Sequence, residues 1–564
     1  MSSAGTKTWA SAAIWGAAAL LGCAGPAPPA GPGAAPPSPL PEITGRVLPP
    51  AAPGPWPDGT FDLREIMGGG VGLFDYDGDG DLDLVDVRHP PPGRSRDPAP
   101  NRLLRQEPDG TFSDVTATSG LGDPGFGQGV AIGDTDGDGD LDVYFSNVGP
   151  DAFYSNNGDG TFSEATARSG LGDDGWSTSA AFLDYDRDGD LDLFVAHYVE
   201  YDPEVRCEGS NLSPEYCSPG EYRGAPASLY RNDGGVFTDV SVAAGVAAPA
   251  NGLGVLCADL SGDGLVDIYV ANDQQANHLW VNRGDGTFAD EAVLRGVAFS
   301  GEGAAEASMG IAIGDADGDD RQDLFITDLR NESNRLYRAR DGGLFDDVSD
   351  AAGTAAVDRP FTGFGCALAD LDHDTDLDLA VVNGRVSRGR PFPDAAALGD
   401  FWSLYAEPSL LLWNEGGARF SRAPAAAGGF GAVSAIGRGL AVGDVDGDGD
   451  LDLAVGDLGG PVRLFRNEAP PDGAHWLLVR ALTGKRDALG ALVTLTAGGR
   501  SLSRLVLAAS SYLSSSDPRA HFGLGPIERV DALDVTWPDG RRERFAGGPV
   551  DRVITLRQGT GAPG

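Results

Sequence analysis

The sequence predicts an all-β protein: a seven-bladed β-propeller with acidic hairpin loops, followed by a small all-β C-terminal domain. Three observations carry that prediction. A nine-residue pattern, Asp-x-Asp-x-Asp-Gly-x-x-Asp, is written seven times, from Asp75, Asp134, Asp184, Asp259, Asp315, Asp370 and Asp444. Apolar, strand-like runs flank every copy. Successive copies start 59, 50, 75, 56, 55 and 74 residues apart, the length of a four-stranded unit with occasional insertions.

Five carboxylates within nine residues repel one another unless a cation sits among them. A tight turn that gathers side chains 1, 3, 5 and 9 with the carbonyl of residue 7 makes a cage of hard oxygens. Without His or Cys, such a cage suits Ca²⁺. The candidate ligands are Asp75, Asp77, Asp79, Asp81 and Asp83; Asp134, Asp136, Asp138, Asp140 and Asp142; and Asp184, Asp186, Asp188, Asp190 and Asp192. They continue as Asp259, Ser261, Asp263, Leu265 and Asp267, then Asp315, Asp317, Asp319, Arg321 and Asp323. The last two sets are Asp370, Asp372, Asp374, Asp376 and Asp378, and Asp444, Asp446, Asp448, Asp450 and Asp452. Up to seven Ca²⁺ are expected. The competing reading is a set of solvated acidic turns. Ser261 lowers the ligand charge of the fourth loop. Position 6, a turn glycine elsewhere, is Asp320 in the fifth loop and Thr375 in the sixth, and a β-branched residue adopts the left-handed conformation poorly.

Each unit reads alike. A Gly-rich strand (Gly129-Val130-Ala131-Ile132-Gly133) enters the loop and a second strand (Leu141 to Phe145) leaves it. A hairpin follows, as in Phe153-Tyr154-Ser155-Asn156-Asn157-Gly158-Asp159-Gly160-Thr161-Phe162, where the Asp-Gly marks the turn. Four-stranded units in radial repetition form a propeller with calcium-binding hairpin loops. Asp58-Gly59-Thr60-Phe61 reads as the back half of a hairpin and Val462 to Asn467 as a front half, so a blade shared between them would close a ring over 56–470. Arg283-Gly284-Asp285, an adhesion tripeptide by spelling, falls in one of these hairpin turns, which accounts for it.

These residues resemble the FG-GAP repeats of the integrin α-chain propeller. After Pro471 the Asp loops cease and short strands with Gly/Pro turns follow, among them His475 to Arg480, Gly490 to Leu495 and Val535 to Trp537. With Arg486-Asp487-Ala488-Leu489-Gly490 this order resembles an ASPIC/UnbV domain over 471–558. The pairing is similar to the cartilage acidic protein family. The resemblance implies extracellular calcium binding and adhesion or recognition, without a characterised reaction.

The formal charge is −43, yet 33 of the 84 acidic residues lie in the seven loops, so this is acidity arranged for metal rather than a solvating tail. No basic stripe exists for nucleic acid. Residues 1–22 read as a signal peptide, and Leu20-Leu21-Gly22-Cys23 at its end resembles a lipobox, which implies cleavage before Cys23 and a lipid on its thiol. The competing reading is an ordinary signal peptide. Residues 23–55, rich in Pro, Ala and Gly, read as a disordered tether. The expected location is the cell envelope or cell surface, with membrane contact only through the lipid. Export favours a disulfide between Cys207 and Cys217, while Cys257 and Cys366 read as buried small residues.

Two units are long, and their excess, 197–227 and 384–408, joins the second and third strands. A shorter extension, 88–101, occupies the same slot in the first unit. Tyr201, Tyr222, Trp402 and Tyr405 on these insertions are candidates for binding a protein or glycan; the alternative is that they pack the insertions onto the propeller. There is no His-Glu-x-x-His and no Gly-x-Ser-x-Gly, and His197 is the one candidate for a solitary acid or base. The expected function is non-enzymatic recognition at the cell surface. The other readings are an envelope enzyme acting on polysaccharide or lipid, and a calcium-stabilised scaffold.

Overall fold

Each Asp pattern lies in the turn between the first two strands of a four-stranded antiparallel blade. The computed structural model describes residues 40–49, 59–88, 101–209, 212–424, 429–458, 460–471 and 473–564. The second blade is representative: Gly127–Gly133, Asp142–Asn147, Ala152–Asn156 and Phe162–Glu164 pair in sequence order. Its inner strands are buried along their whole length because side chains on both faces meet a neighbouring blade.

The glycines of the inner strands let blades approach at the axis. A Cβ on Gly254 would lie 2.3 Å from the Met309 carbonyl oxygen, and one on Gly310 would lie 2.0 Å from that of Phe364. After the outer strand, five blades add a helical turn that a repeat of strands alone does not announce: Thr116–Ser119, Thr166–Ser169, Ser241–Ala244, Ala292–Arg295 and Ser349–Ala352. Four residues are too few to show a helical period.

The ring closes differently from the expectation. The seventh blade contributes Gly437–Gly443, Asp452–Asp457 and Arg463–Phe465, and its outer position is taken by residues 41–43. Glu42 bridges Phe465, Ile43 N donates to Leu464 O at 2.9 Å, and Arg466 N donates to Pro41 O at 3.1 Å. Leu40 is fully buried beside them. The described end of the tether expected at 23–55 is therefore part of the propeller, and it pairs on its other side as well, where Pro41 bridges Gly429 and Phe430 N donates to Leu40 O at 2.8 Å. Phe61, expected in the closing hairpin, instead stacks near Tyr216 and Phe401, with ring centroids at 5.4 and 5.8 Å. The slot between 88 and 101 lies outside the described residues, as do Asp58 and Cys23.

Side-chain amides link the blades in sequence. Asn156 Nδ2 donates to Tyr76 O of the preceding blade's Asp loop at 2.9 Å. Asn232 does the same to Thr135 (2.9 Å), Asn282 to Tyr185 (2.8 Å), Asn414 to Ala316 (2.8 Å) and Asn467 to Leu371 (2.8 Å). Gln106 Nε2 reaches Val445 O at 2.9 Å and joins the first blade to the seventh. Ala339, in the fifth blade, occupies the corresponding place without an amide.

The C-terminal domain has two sheets. His475–Thr483 pairs with Arg486–Asp487, Ala520–Gly525 and, in parallel, Arg552–Arg557. The second sheet runs Arg500–Leu505, Leu492–Ala497, Arg529–Thr536, Arg542–Pro549, Ala562–Pro563, so the domain continues to 563 rather than ending at 558. Its core merges with that of the second and third blades, where Phe182 and Leu193 join the cluster of Val493, Phe522 and Trp537.

A loop of this domain fills the propeller axis. Ser511 exchanges backbone hydrogen bonds with Ile311, Val130 N donates to Leu513 O at 3.2 Å, and Leu513 N donates to Ser179 Oγ at 3.0 Å. Cys366 N donates to Ser511 Oγ at 3.1 Å, Ser515 pairs with Gly72, and Asp517 N donates to Val442 O at 3.1 Å. Tyr512 is fully buried, its ring 4.9 Å from that of Phe364. One loop thus bonds to the inner strands of six blades.

Two stability measurements test these contacts. Tyr512→Ala is expected to cost about 3–5 kcal/mol in denaturant unfolding, the range for truncating a buried aromatic. Asn282→Ala leaves the Tyr185 carbonyl unpaired and is expected to cost about 1–3 kcal/mol in the same experiment.

Candidate metal centres

Within every loop the first Asp folds the turn. Asp134 Oδ1 accepts from Gly137 N at 2.7 Å and Oδ2 from Gly139 N at 2.9 Å, with both glycines at positive φ. Asp75 and Asp259 repeat the arrangement with Gly78 and Gly80, and with Gly262 and Gly264. The ninth residue ties the loop to the blade. Asp142 accepts from Thr135 N at 3.0 Å and from Asn156 N, on the third strand, at 2.9 Å. Asp83, Asp192, Asp267, Asp323, Asp378 and Asp452 hold the corresponding positions.

The departures from the pattern keep the same backbone. Asp320 and Thr375 have φ of 67° and 89°, and Thr375 N still donates to Asp370 Oδ2 at 3.0 Å. The C-terminal domain supports this strained sixth loop: Gly525 N donates to His373 O at 2.7 Å and Arg500 bonds to Thr375 Oγ1. In the fifth loop Arg321 pairs with Asp319, a built-in positive charge beside a candidate ligand. In the fourth, Ser261 Oγ is buried without a partner.

The residues fit a hard divalent cation. Ligand oxygens of Asp75, Asp77 and Asp83 lie within 4.8 Å of one another, as do those of Asp134, Asp136 and Asp138. The same holds for Asp184, Asp186 and Asp192, and for Asp315, Asp317 and Asp323. Asp184, Asp317 and Asp444 each keep a buried oxygen, Oδ1, without a hydrogen-bond partner. Burial, then repulsion from neighbouring loop carboxylates, pushes the ninth residues up: Asp83 and Asp192 to about 8, Asp378 to about 9. A cation among these oxygens would remove the cost of gathering them.

The loop face is roofed by the C-terminal domain. Lys485 Nζ donates to Asp138 O at 2.8 Å, Arg486 lies 3.5 Å from Asp190, and His521 Nε2 meets Gly449 O at 2.9 Å. The insertions occupy the opposite face, where they pack on one another. Cys207 and Cys217 form a disulfide with a Cα separation of 5.2 Å, and Cys257 and Cys366 are free and buried.

Two of the aromatics expected to meet a partner are interior. Tyr405 is fully buried and donates to Glu215 Oε1 at 2.9 Å, and Trp402 is 8% exposed beside it. Tyr216, of the other insertion, donates to Glu65 Oε2 at 2.9 Å. Long insertions need a core of their own, and these rings form it. Tyr201 and Tyr222 are half-exposed and stack with centroids at 5.9 Å, and Tyr201 donates to Asp62 Oδ1 at 2.6 Å.

His197 is a buried link rather than a free acid or base. Nδ1 meets Pro226 O at 2.5 Å and Nε2 lies 3.2 Å from Asp173 Oδ2. Burial opposes the charged imidazole, but Asp173 raises its pKa. Asp151 completes the group, accepting from Tyr144 Oη at 2.5 Å and Ser177 Oγ at 2.6 Å. Its signal in the sequence is Asp151 itself, which precedes the third strand where other blades have Asn101, Asn277 and Asn334.

Comparison with known proteins agrees with this architecture. An FG-GAP-like repeat model matches residues 75–145, 134–195, 259–326 and 315–381, and an ASPIC and UnbV model matches 482–563. Cartilage acidic protein 1 of Homo sapiens is 28% identical over 330 residues, 56% of this chain and 46% of that protein. The Xenopus tropicalis protein is 27% identical over 332 residues, 57% and 47% of the two chains. The chain thus spans about half the length of the curated relatives it matches. Among solved structures, an Agrocybe aegerita lectin, described with its recognition of non-reducing terminal N-acetylglucosamine, aligns at TM-score 0.36 and 17% identity over 71% of this chain and 95% of its own. A chain from the complex of BBS1N with ARL6DN aligns at TM-score 0.40 and 9% identity, over 76% and 97%. Neither score supports a closer comparison. Repeats and terminal domain together place the chain in the family of FG-GAP-repeat proteins with a C-terminal ASPIC/UnbV domain, similar to cartilage acidic protein 1.

Proposed function

We propose that this protein is a calcium-stabilised, non-enzymatic recognition protein that binds a protein or glycan outside the cell, tethered to the envelope through a lipid on Cys23. The observation that carries the calcium reading is the set of buried, unpartnered carboxylate oxygens on Asp184, Asp317 and Asp444 within all-oxygen loops. Oxygen-only ligands and millimolar extracellular Ca²⁺ suit one another. FG-GAP repeats and the likeness to cartilage acidic protein 1 support the location, and among the described residues no helix is long and apolar enough to cross a membrane.

Recognition falls to the insertion face because the C-terminal domain covers the loop face. Packed around Trp402 and Tyr405, the two insertions form a preorganised platform whose outer side retains Tyr201 and Tyr222. A rigid platform with half-exposed aromatics suits a sugar ring or a protein loop.

Melting in millimolar Ca²⁺ and in excess chelator tests the metal, with ions counted per chain. A higher melting temperature in calcium and several bound ions are expected; Asp184→Ala should lose one ion and part of the rise. Equal melting with no bound ion refutes the calcium reading. Screening glycans and envelope proteins in calcium tests recognition, with Tyr222→Ala expected to weaken any ligand found while leaving the melt unchanged.

A further inference from the structure

Beneath the C-terminal domain the eighth residue of the Asp loops breaks its own rule once. It is Leu82, Leu141, Leu191, Val266, Leu377 and Leu451 in six loops and Gln322 in the fifth. Gln322 lines a cavity of about 130 Å³ between the fifth to seventh blades and the C-terminal domain. Most of its wall is aliphatic, including Leu368, Leu377 and Leu505.

Four polar side chains in that wall carry solvent-shielded atoms without a hydrogen-bond partner: Gln322 Nε2, Arg504 Nε and Nη2, His521 Nδ1, and Asp370 Oδ1, the last belonging to the first candidate ligand of the sixth Asp loop. Unpaired buried donors and acceptors are rare and costly, and a group of them marks a place for something else to bind. Arg504 spends Nη1 on Ser503 O at 3.1 Å, which leaves the Nε–Nη2 edge free. Burial opposes its charge and lowers its pKa, Asp370, Asp315 and Asp376 partly offset this, and none of them hydrogen-bonds that edge. Such an edge matches the two oxygens of a carboxylate. His521 is 6% exposed and its Nε2 faces Gly449 O at 2.9 Å, so in the neutral ring Nδ1 is an acceptor. Of the other charged groups in the wall, Asp517 and Arg519 pair with each other at 2.7 Å, and Asp370 spends Oδ2 on Thr375 N and leaves Oδ1 to the cation proposed for its own loop.

We propose that this cavity binds a small carboxylate bearing a hydroxyl or amino group on the neighbouring carbon. The carboxylate pairs with Arg504 and takes a further bond from Gln322, and the neighbouring donor reaches His521 Nδ1. The aliphatic wall limits the ligand to a short side chain. Because it touches both propeller and C-terminal domain, the bound molecule strengthens their junction.

The test is a melt of the full chain in excess calcium with lactate, alanine or acetate added. Lactate or alanine should raise the melting temperature by at least about 2 °C at saturation, and acetate by less. Gln322→Leu installs the residue common to the other loops, so it should fold at least as stably and lose the response; Arg504→Met should lose it too. A rise retained in Gln322→Leu, or none with lactate and alanine, overturns the proposal. An equal rise with acetate overturns the part played by His521. Calcium dependence is read separately, so failure here leaves the metal reading intact.

Discussion

The ring depends on one buried carboxylate per blade, the ninth residue of each Asp loop. It accepts from a backbone N–H inside its own loop and from another on the third strand, as Asp142 does from Thr135 and Asn156. The neighbouring amide then continues outward: Asn156 spends its Nδ2 on the preceding blade. Loop, blade and ring are thereby one hydrogen-bonded system. Burying so much negative charge is unfavourable by itself, which is why the metal question and the stability question are the same question.

The parts of this arrangement that repeat were legible in the sequence. Seven acidic loops, their flanking strands and the Asn at the end of the third strand recur in fixed order, and the local chemistry of an Asp-Gly turn is strong enough to specify structure unaided. The inner-strand glycines were visible too, although their reason, close approach of the next blade's backbone, emerges only in three dimensions.

Among features that occur once, the disulfide and the terminal domain were legible, but several others were not. Residues 41–43 complete the last blade through backbone contacts that any sequence could make, so Pro41 and Glu42 carried no signal. Ser511 to Leu513 fill the axis by matching the ends of inner strands distant in sequence. Trp402 and Tyr405 illustrate the general ambiguity of aromatics on insertions: composition attracts attention to them, but the same composition is what an insertion needs for its own core. The sixth loop shows tertiary support overriding local preference, with Thr375 held at positive φ by contacts from the C-terminal domain.

The axial loop also constrains how the chain can reach its native state. Its bonds to Gly72, Val130 and Ser179 join residues separated by more than 300 positions, and Leu464 meets Ile43 across a similar interval. A chain emerging from its N-terminus can pair strands within each blade as it appears, but it cannot fill its centre until all seven blades and the axial loop are present. Until then the apolar ends of the inner strands stand open, the state in which a β-rich chain is most prone to pair with its neighbours. An unusual share of this protein's foldability is therefore deferred to the axial loop, which follows all seven blades in the chain.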